Sequence, residues 1–318
     1  MKTFDRYTID STGAFFLGEL ERLDMTLHEP LVDVTWTRDI DLREDVSIAD
    51  ETSSFTNSSF AAVGGISPTG KSWIGKTTNA IAGIALDIGK TTSPLFLWGL
   101  EISYTIPELL SAQQAGRPVD AQKYAGMQLK HNMDVDEMVY IGDDTLGKYG
   151  LLNSTSVTSA SVANGGLGTA TWATKTPDEI LTDVNTLLTA SWAASGYAIV
   201  PQKLLLPPVQ YAYIVSQKVS LAGNVSIIEF LKINSLTNAR NGRPLDIQPV
   251  KWLTGRGTAS ADRMCCYTQD KTRVRFPLVP LQRTPLEYRS IFHLTTYFGR
   301  LGCVEFVYPE TVRYADGI

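Results

Sequence analysis

Residues 106–153 read IPELLSAQQAGRPVDAQKYAGMQLKHNMDVDEMVYIGDDTLGKYGLLN, and the reading of this stretch decides the fold. Thr105 stands just before it, so Thr105-Ile-Pro-Glu108 makes a capping box, with proline in the first turn where its missing N–H costs nothing. The pattern predicts a helix from 106 to about Ala115, broken by Gly116 and Pro118. A second, longer helix starts near Asp120. Tyr124, Met127, His131, Val135 and Met138 recur along it at steps of three or four, and Gly142 is its stop. The two make one long, gently interrupted rod. The stretch GDDTLGKYGLLNST (142–155) is turn chemistry, with Asp143 and Asp144 as turn residues.

Upstream of the rod the pattern is extended. Phe96, Trp98, Leu100, Ile102 and Tyr104 alternate strictly and give the strongest strand signal in the chain, and Ala82, Ile84, Leu86 and Ile88 alternate before them. Residues 47–80 are different: they are rich in Ser, Thr and Gly, yet Phe55, Phe60, Ile66, Trp73 and Ile74 recur through them. A segment this long with no place in a core is functional or ordered by a partner. Further back, Val32, Val34 and Trp36 alternate as a strand, and residues 11–24 predict a short amphipathic helix with Phe16, Leu17, Leu20 and Leu23 on one face.

Downstream, residues 153–175 carry little pattern. Thr176-Pro-Asp-Glu179 is a second capping box, opening a helix with Ile180, Val184, Leu187 and Leu188 inward and Gly196 past its end. Ser226-Ile-Ile-Glu229 predicts a third box and a helix to about Ile233. Between them, YAIVPQKLLLPPVQYAYI reads as a strand and a proline-bound turn. Segments 244–254 and 263–276 read as strands, and Val304, Phe306 and Tyr308 alternate near the end.

The bulk composition excludes several classes. The 318 residues are 43% hydrophobic and 19% charged, an ordinary globular mix, and the net charge of −5 argues against a basic nucleic-acid clamp. The cysteines Cys265, Cys266 and Cys303 make no disulfide framework and suit a reducing compartment; Cys265 and Cys266, adjacent in a strand, point to opposite faces. The N-terminus is not a signal peptide, and no stretch approaches the ~20 apolar residues that cross a bilayer. The reading is a soluble protein of a cytoplasm-like environment, with no membrane partner.

The motif search returns no chemistry. Residues Gly65–Ser72, GISPTGKS, match the phosphate-binding pattern G-x-x-x-x-G-K-S, which would make the chain a nucleotide hydrolase using Lys71 and Ser72. A working loop of that kind needs a buried strand before it and a helix after it. Here SSFTNSSFAAVG precedes it, and Gly75, Thr77 and Thr78 follow; a flexible hairpin tip fits better. His28, His131 and His293 are scattered without metal-ligand spacing, and His131 on the rod reads as a hydrogen-bonded, partly buried histidine. Asp39, Asp41, Glu44, Asp45 and Asp50 lack the glycine a calcium loop needs at its sixth position. No catalytic residue, cofactor or metal site emerges.

The order of features carries more than any motif. Stretch 106–153, with Asp136, the apolar run Met138 to Ile141, Gly142 and then Gly150-Leu-Leu-Asn153, resembles the spine helix and following turn of tailed-bacteriophage major capsid proteins with the HK97-type fold. The tail YFGRLGCVEFVYPETVRYADGI (297–318) is similar to that family's closing strands. Encapsulin-like shell proteins share the fold.

The resemblance implies an α+β fold. Residues 1–46 would be an N-terminal arm, 47–94 an extended E-loop hairpin, 95–149 with 277–318 a peripheral domain with its spine helix at about 106–142, and 150–276 an axial domain. It implies a structural protein, not an enzyme, that self-assembles into hexamers and pentamers of an icosahedral shell enclosing double-stranded DNA. Portal, scaffolding or decoration proteins would be further partners, and the chain would be assembled in the host cytoplasm and end in the virion. Phe55, Phe60, Trp73 and Ile74 would pack across subunits, and Lys71 and Lys76 are the lysines that the cross-linking seen in some members could use.

Overall fold

The computed structural model describes residues 32–63, 76, 83–114, 119–220 and 224–318. The chain divides into two units, 1–33 and 34–318, and the second is the one described here. The helix expected at 11–24 lies outside the described residues.

In chain order, a short helix α1 (Trp36–Asp39) leads into β1 (Asp41–Arg43). The strands β2 (Thr52–Val63) and β3 (Gly83–Pro94) follow, then β4 (Phe96–Thr105). The rod is α2 (Ile106–Gln114) and α3 (Val119–Tyr140). A small hairpin, β5 (Gly142–Asp143) and β6 (Lys148–Tyr149), precedes β7 (Ser159–Ser161). Then come α4 (Pro177–Ala194), β8 (Lys203–Leu206), α5 (Pro208–Ser216), α6 (Ile227–Asn234), α7 (Leu236–Asn241) and β9 (Asp246–Pro249). The remaining strands are β10 (Arg263–Tyr267), β11 (Val274–Arg283), β12 (Glu287–Arg289), β13 (Phe292–Leu301), β14 (Glu305–Phe306) and β15 (Arg313–Asp316).

The strands form two main sheets. One has the order β1-β11-β13-β12, with β4 paired to β13 and β14 to β11; the other has the order β7-β15-β10-β8-β9. The second sheet separates two cores, and period-2 alternation sorts its residues between them. Cys266, Leu204, Leu206 and Ala315 face one core with Ile180, Val184 and Leu188 of α4. Cys265, Leu205 and Tyr314 face the other with Val135, Val139 and Tyr140 of the rod. The adjacent cysteines thus point to opposite faces as expected, both buried.

The rod begins on the expected cap: Thr105 Oγ1 accepts from Glu108 N–H at 3.2 Å, and Thr105 N–H donates to Glu108 at 3.4 Å. Its far end explains the Gly-Leu-Leu-Asn turn. A helix leaves its last carbonyls without partners. Here Leu151 N–H donates to Val139 O at 2.7 Å, Leu152 N–H to Tyr140 O at 2.9 Å, and Asn153 Nδ2 to Ile141 O at 2.7 Å. Gly150 lies so close to the rod that an added Cβ would fall 2.4 Å from the Tyr140 carbonyl carbon, so glycine is required there.

Two buried carboxylates tie α1 to the rest. Asp136 of the rod accepts from Thr35 N–H (2.9 Å), Trp36 N–H (3.1 Å) and Trp252 Nε1 (2.7 Å). Asp39 is held by both arms of Arg38 at 2.8 Å, by Lys203 Nζ at 3.0 Å, and by the Tyr140 hydroxyl. Burial raises the Asp39 carboxyl, but Arg38, Tyr140 and Lys203 together hold it below the ordinary carboxylate range. Burial keeps His131 below its ordinary value, so it is neutral at pH 7; it stacks edge-on against Trp98 with ring centroids 4.8 Å apart. Its Nε2 has no partner among the described residues, which corrects the expectation of a hydrogen-bonded histidine.

Both shifts have the same sign for stability: the unfolded chain binds protons more readily, so stability is lost as the pH is lowered. We expect a first loss of melting temperature as pH drops below about 6.5, from His131, and a second below about 4, from Asp39. Thermal melts from pH 7 to pH 3 check this, and His131→Phe should remove the first step alone.

Several expectations are corrected. Val32 to Trp36 is not an alternating strand; the chain turns into α1 at Trp36. The turn expected after Leu206 is the helix α5, because Pro208 sits at its first position. The strand expected at 263–276 is two strands in different sheets, β10 and β11, separated by the Asp270–Arg273 turn. The capping box at Ser226 does not form: Ser226 bridges to Lys218, and Ile227 N–H donates to Gln217 O. The tail divides, since β13 pairs with β4 whereas β15 lies in the second sheet between β7 and β10.

Candidate assembly surface

The strands β2 and β3 form a ribbon of their own. Each has twelve residues, paired antiparallel from Thr52↔Pro94 to Val63↔Gly83, and among the described residues neither pairs with another strand. At strand rise this spans about 40 Å. Ser, Thr and Asn run through β2 with Phe55 and Phe60 among them, and Ile84, Leu86 and Ile88 alternate along β3, so extended structure is favoured and a core is not.

The register puts Phe60, Ile84, Leu86 and Ile88 on one face. Residues directly opposite each other share a side of the ladder. Phe60 faces Leu86 and Ser58 faces Ile88, with Ile84 one step further on the same side. The exposures are 73% for Phe60, 81% for Ile84, 53% for Leu86 and 60% for Ile88. The reverse face pairs Asn57 with Gly89 and Ser59 with Asp87, and toward the root Phe55 with Thr91. An isolated two-stranded ribbon is marginal in water, and four large apolar side chains on one face make it worse. Such a stripe is stable only when something covers it.

Phe60 was expected to pack across subunits, and it lies on this stripe. Phe55 sits instead at the ribbon's root, half-buried, beside a hollow of about 630 Å³ that Leu42 and Val307 also line. Trp73, Ile74 and Lys71 lie outside the described residues, and Lys76 is an exposed turn residue. Ile84, Leu86 and Ile88 belong to the surface although only their alternation was noted in the sequence. The signal for their role was present: three apolar residues in step on a strand whose partner offers little to cover them.

Residues Gly65–Ser72 also lie outside the described residues. The described structure on either side is antiparallel ribbon, exposed at residues 56–60 and 83–92, where a phosphate loop requires a buried parallel strand. Among the described residues no group of three His, Cys, Asp or Glu side chains is placed to hold a metal, and no helix is long and apolar enough to cross a membrane.

The architecture of rod, ribbon and two sheets is that of phage capsids with the HK97-type fold. The capsid of the Myoviridae phage XM1 superposes with a TM-score of 0.76 at 14% identity, over 95% of this chain and 98% of that one. Mycobacterium phage Bobi gives 0.59 at 11% identity over 99% of both chains, and the virus-like particle from Pyrococcus furiosus 0.52 at 13% over 88% and 92%. No curated protein matches in sequence. The description of the major capsid protein family matches residues 70–318, and the chain belongs to that family. It is therefore a structural protein of a virion shell, built to assemble with copies of itself.

Proposed function

We propose that copies of this chain form hexamers and pentamers that close into an icosahedral shell around double-stranded DNA, each laying its β2–β3 ribbon over the next copy. The observation that carries this reading is the stripe of Phe60, Ile84, Leu86 and Ile88, exposed on a ribbon that cannot cover it. Ring contacts of this kind are head-to-tail: one surface of each copy meets a different surface of the next. Repeated weak contacts then act together. The net charge of −5 suits a container, since a strongly basic lining would hold the packaged DNA too tightly.

In this reading residues 47–94 act as the E-loop and 106–142 as the spine helix. Residues 1–46 are the arm, 95–149 with 277–318 the peripheral domain, and 150–276 the axial domain. Sedimentation of the purified chain tests the proposal: fast, closed particles are expected, against a species near 34.9 kDa if the chain stays alone. No nucleotide site is expected, so adding ATP or GTP with magnesium leaves the melting temperature unchanged, in the parent and in Lys71→Ala alike. A nucleotide-dependent rise lost in Lys71→Ala would contradict it.

A further inference from the structure

We propose that Glu305 is the positioning residue of the ribbon: through Ser53 and Arg43 it fixes the angle at which β2–β3 leaves its own subunit. The proposal rests on the assembly reading above and adds to it the device that aims the stripe.

Glu305 comes from β14 and its side chain is wholly buried. Arg275 Nε of β11 donates to it at 2.7 Å, and Arg43 Nη1 of β1 lies 3.3 Å away. The Ser53 hydroxyl, at the root of β2, donates to the same carboxylate. Arg43 Nη1 in turn donates to Ser53 Oγ at 2.9 Å and to the Ser54 carbonyl at 3.0 Å. Asp45 holds the rest of the Arg43 guanidinium, at 2.6 and 3.1 Å. Four segments of the chain therefore meet on one carboxylate, through charge-assisted bonds about twice as strong as neutral ones.

Beyond this point the ribbon has little hold on its own body. Among the described residues, one further hydrogen bond joins β2 to it, from Asn57 Nδ2 to the Val307 carbonyl at 3.3 Å. On one side of the root lies the hollow of about 630 Å³, lined by Phe55, Thr56 and Thr272, so packing does not fix the angle there. The geometry amplifies any slack. A tilt of about 10° at the root swings the far end of a ribbon of about 40 Å sideways by about 7 Å, more than the ~4.8 Å between neighbouring strands. A swing of that size would carry the apolar stripe sideways off its place on the next copy.

Ser53→Ala is the discriminating variant. It removes the ribbon's direct hydrogen bond to Glu305, leaving only the Arg43 bridge to the Ser54 carbonyl, and keeps the Arg275–Glu305 pair, which lies within the body, intact. Spin labels at Ser59→Cys and Lys271→Cys, both exposed, report the ribbon angle in the full-length unassembled chain; the native cysteines are buried. The parent should give one narrow distance distribution. Ser53→Ala should broaden it about twofold with little change in melting temperature, and Glu305→Gln at least as much. Unchanged widths in both variants would overturn the proposal. Particle formation by the parent is scored separately: a parent that makes no shells contradicts the assembly reading, while the distance result still decides the role of Glu305.

Discussion

Phe60→Asp and Leu86→Asp together are expected to leave a folded chain that does not close shells. The two side chains lie opposite each other on the exposed face of the ribbon, 73% and 53% accessible, so the subunit's own core does not depend on them. Burying a Phe or Leu contributes about 1.5–3 kcal/mol each, so the pair supplies roughly 3–6 kcal/mol per contact. At 1.4 kcal/mol per factor of ten, losing it weakens each contact by about a hundredfold to ten-thousandfold. Carboxylates buried in its place cost more. The same contact recurs around every ring, so the loss multiplies. The stability of the separated subunit should change by no more than the ~0.5 kcal/mol typical of surface changes. Electron microscopy and sedimentation read the outcome: shells at parental yield would remove the stripe from the account.

The second large effect is on the subunit itself. Asp136→Ala should cost about 3–5 kcal/mol, as expected when a buried charge network loses its central partner. Asp136 is 1% exposed and serves Thr35 N–H, Trp36 N–H and Trp252 Nε1, with Lys251 Nζ 3.5 Å away. Each donor left unpaired in the interior costs about 1–3 kcal/mol. Against a total stability of about 5–15 kcal/mol, the variant is close to unfolding at 37 °C. Denaturant titration of the unassembled chain measures it. A shift below about 1 kcal/mol would mean that water takes over these donors without loss.

The sequence made the rod legible because each local signal agreed with the next: a capping box at Thr105, apolar steps of three and four, and a glycine stop at Gly142. The turn at Gly150–Asn153 was recognised by resemblance, and its physical basis, three carbonyls capped at the end of the rod, became visible only in the fold. The misreadings have local causes. In PPVQYAYI the prolines were taken as a break, when Pro208 starts a helix whose aromatic residues happen to alternate. Ser226 has the right spacing for a cap, but its backbone is engaged with Lys218. Long-range contacts left no sequence signal at all. Nothing near Glu305 marks it as the partner of Ser53, 252 residues away, or Asp39 as that of Tyr140. The exposed stripe was half legible: its alternation was plain, and its lack of cover depended on knowing which strand lay opposite.

Cryo-electron microscopy of particles assembled from the purified chain asks most directly where the ribbon goes. The account predicts closed shells in which residues 52–63 and 83–94 lie across an adjacent subunit, with Phe60 and Leu86 within about 4.5 Å of its atoms. A ribbon folded back on its own subunit, or left standing in solvent within a finished shell, would contradict it.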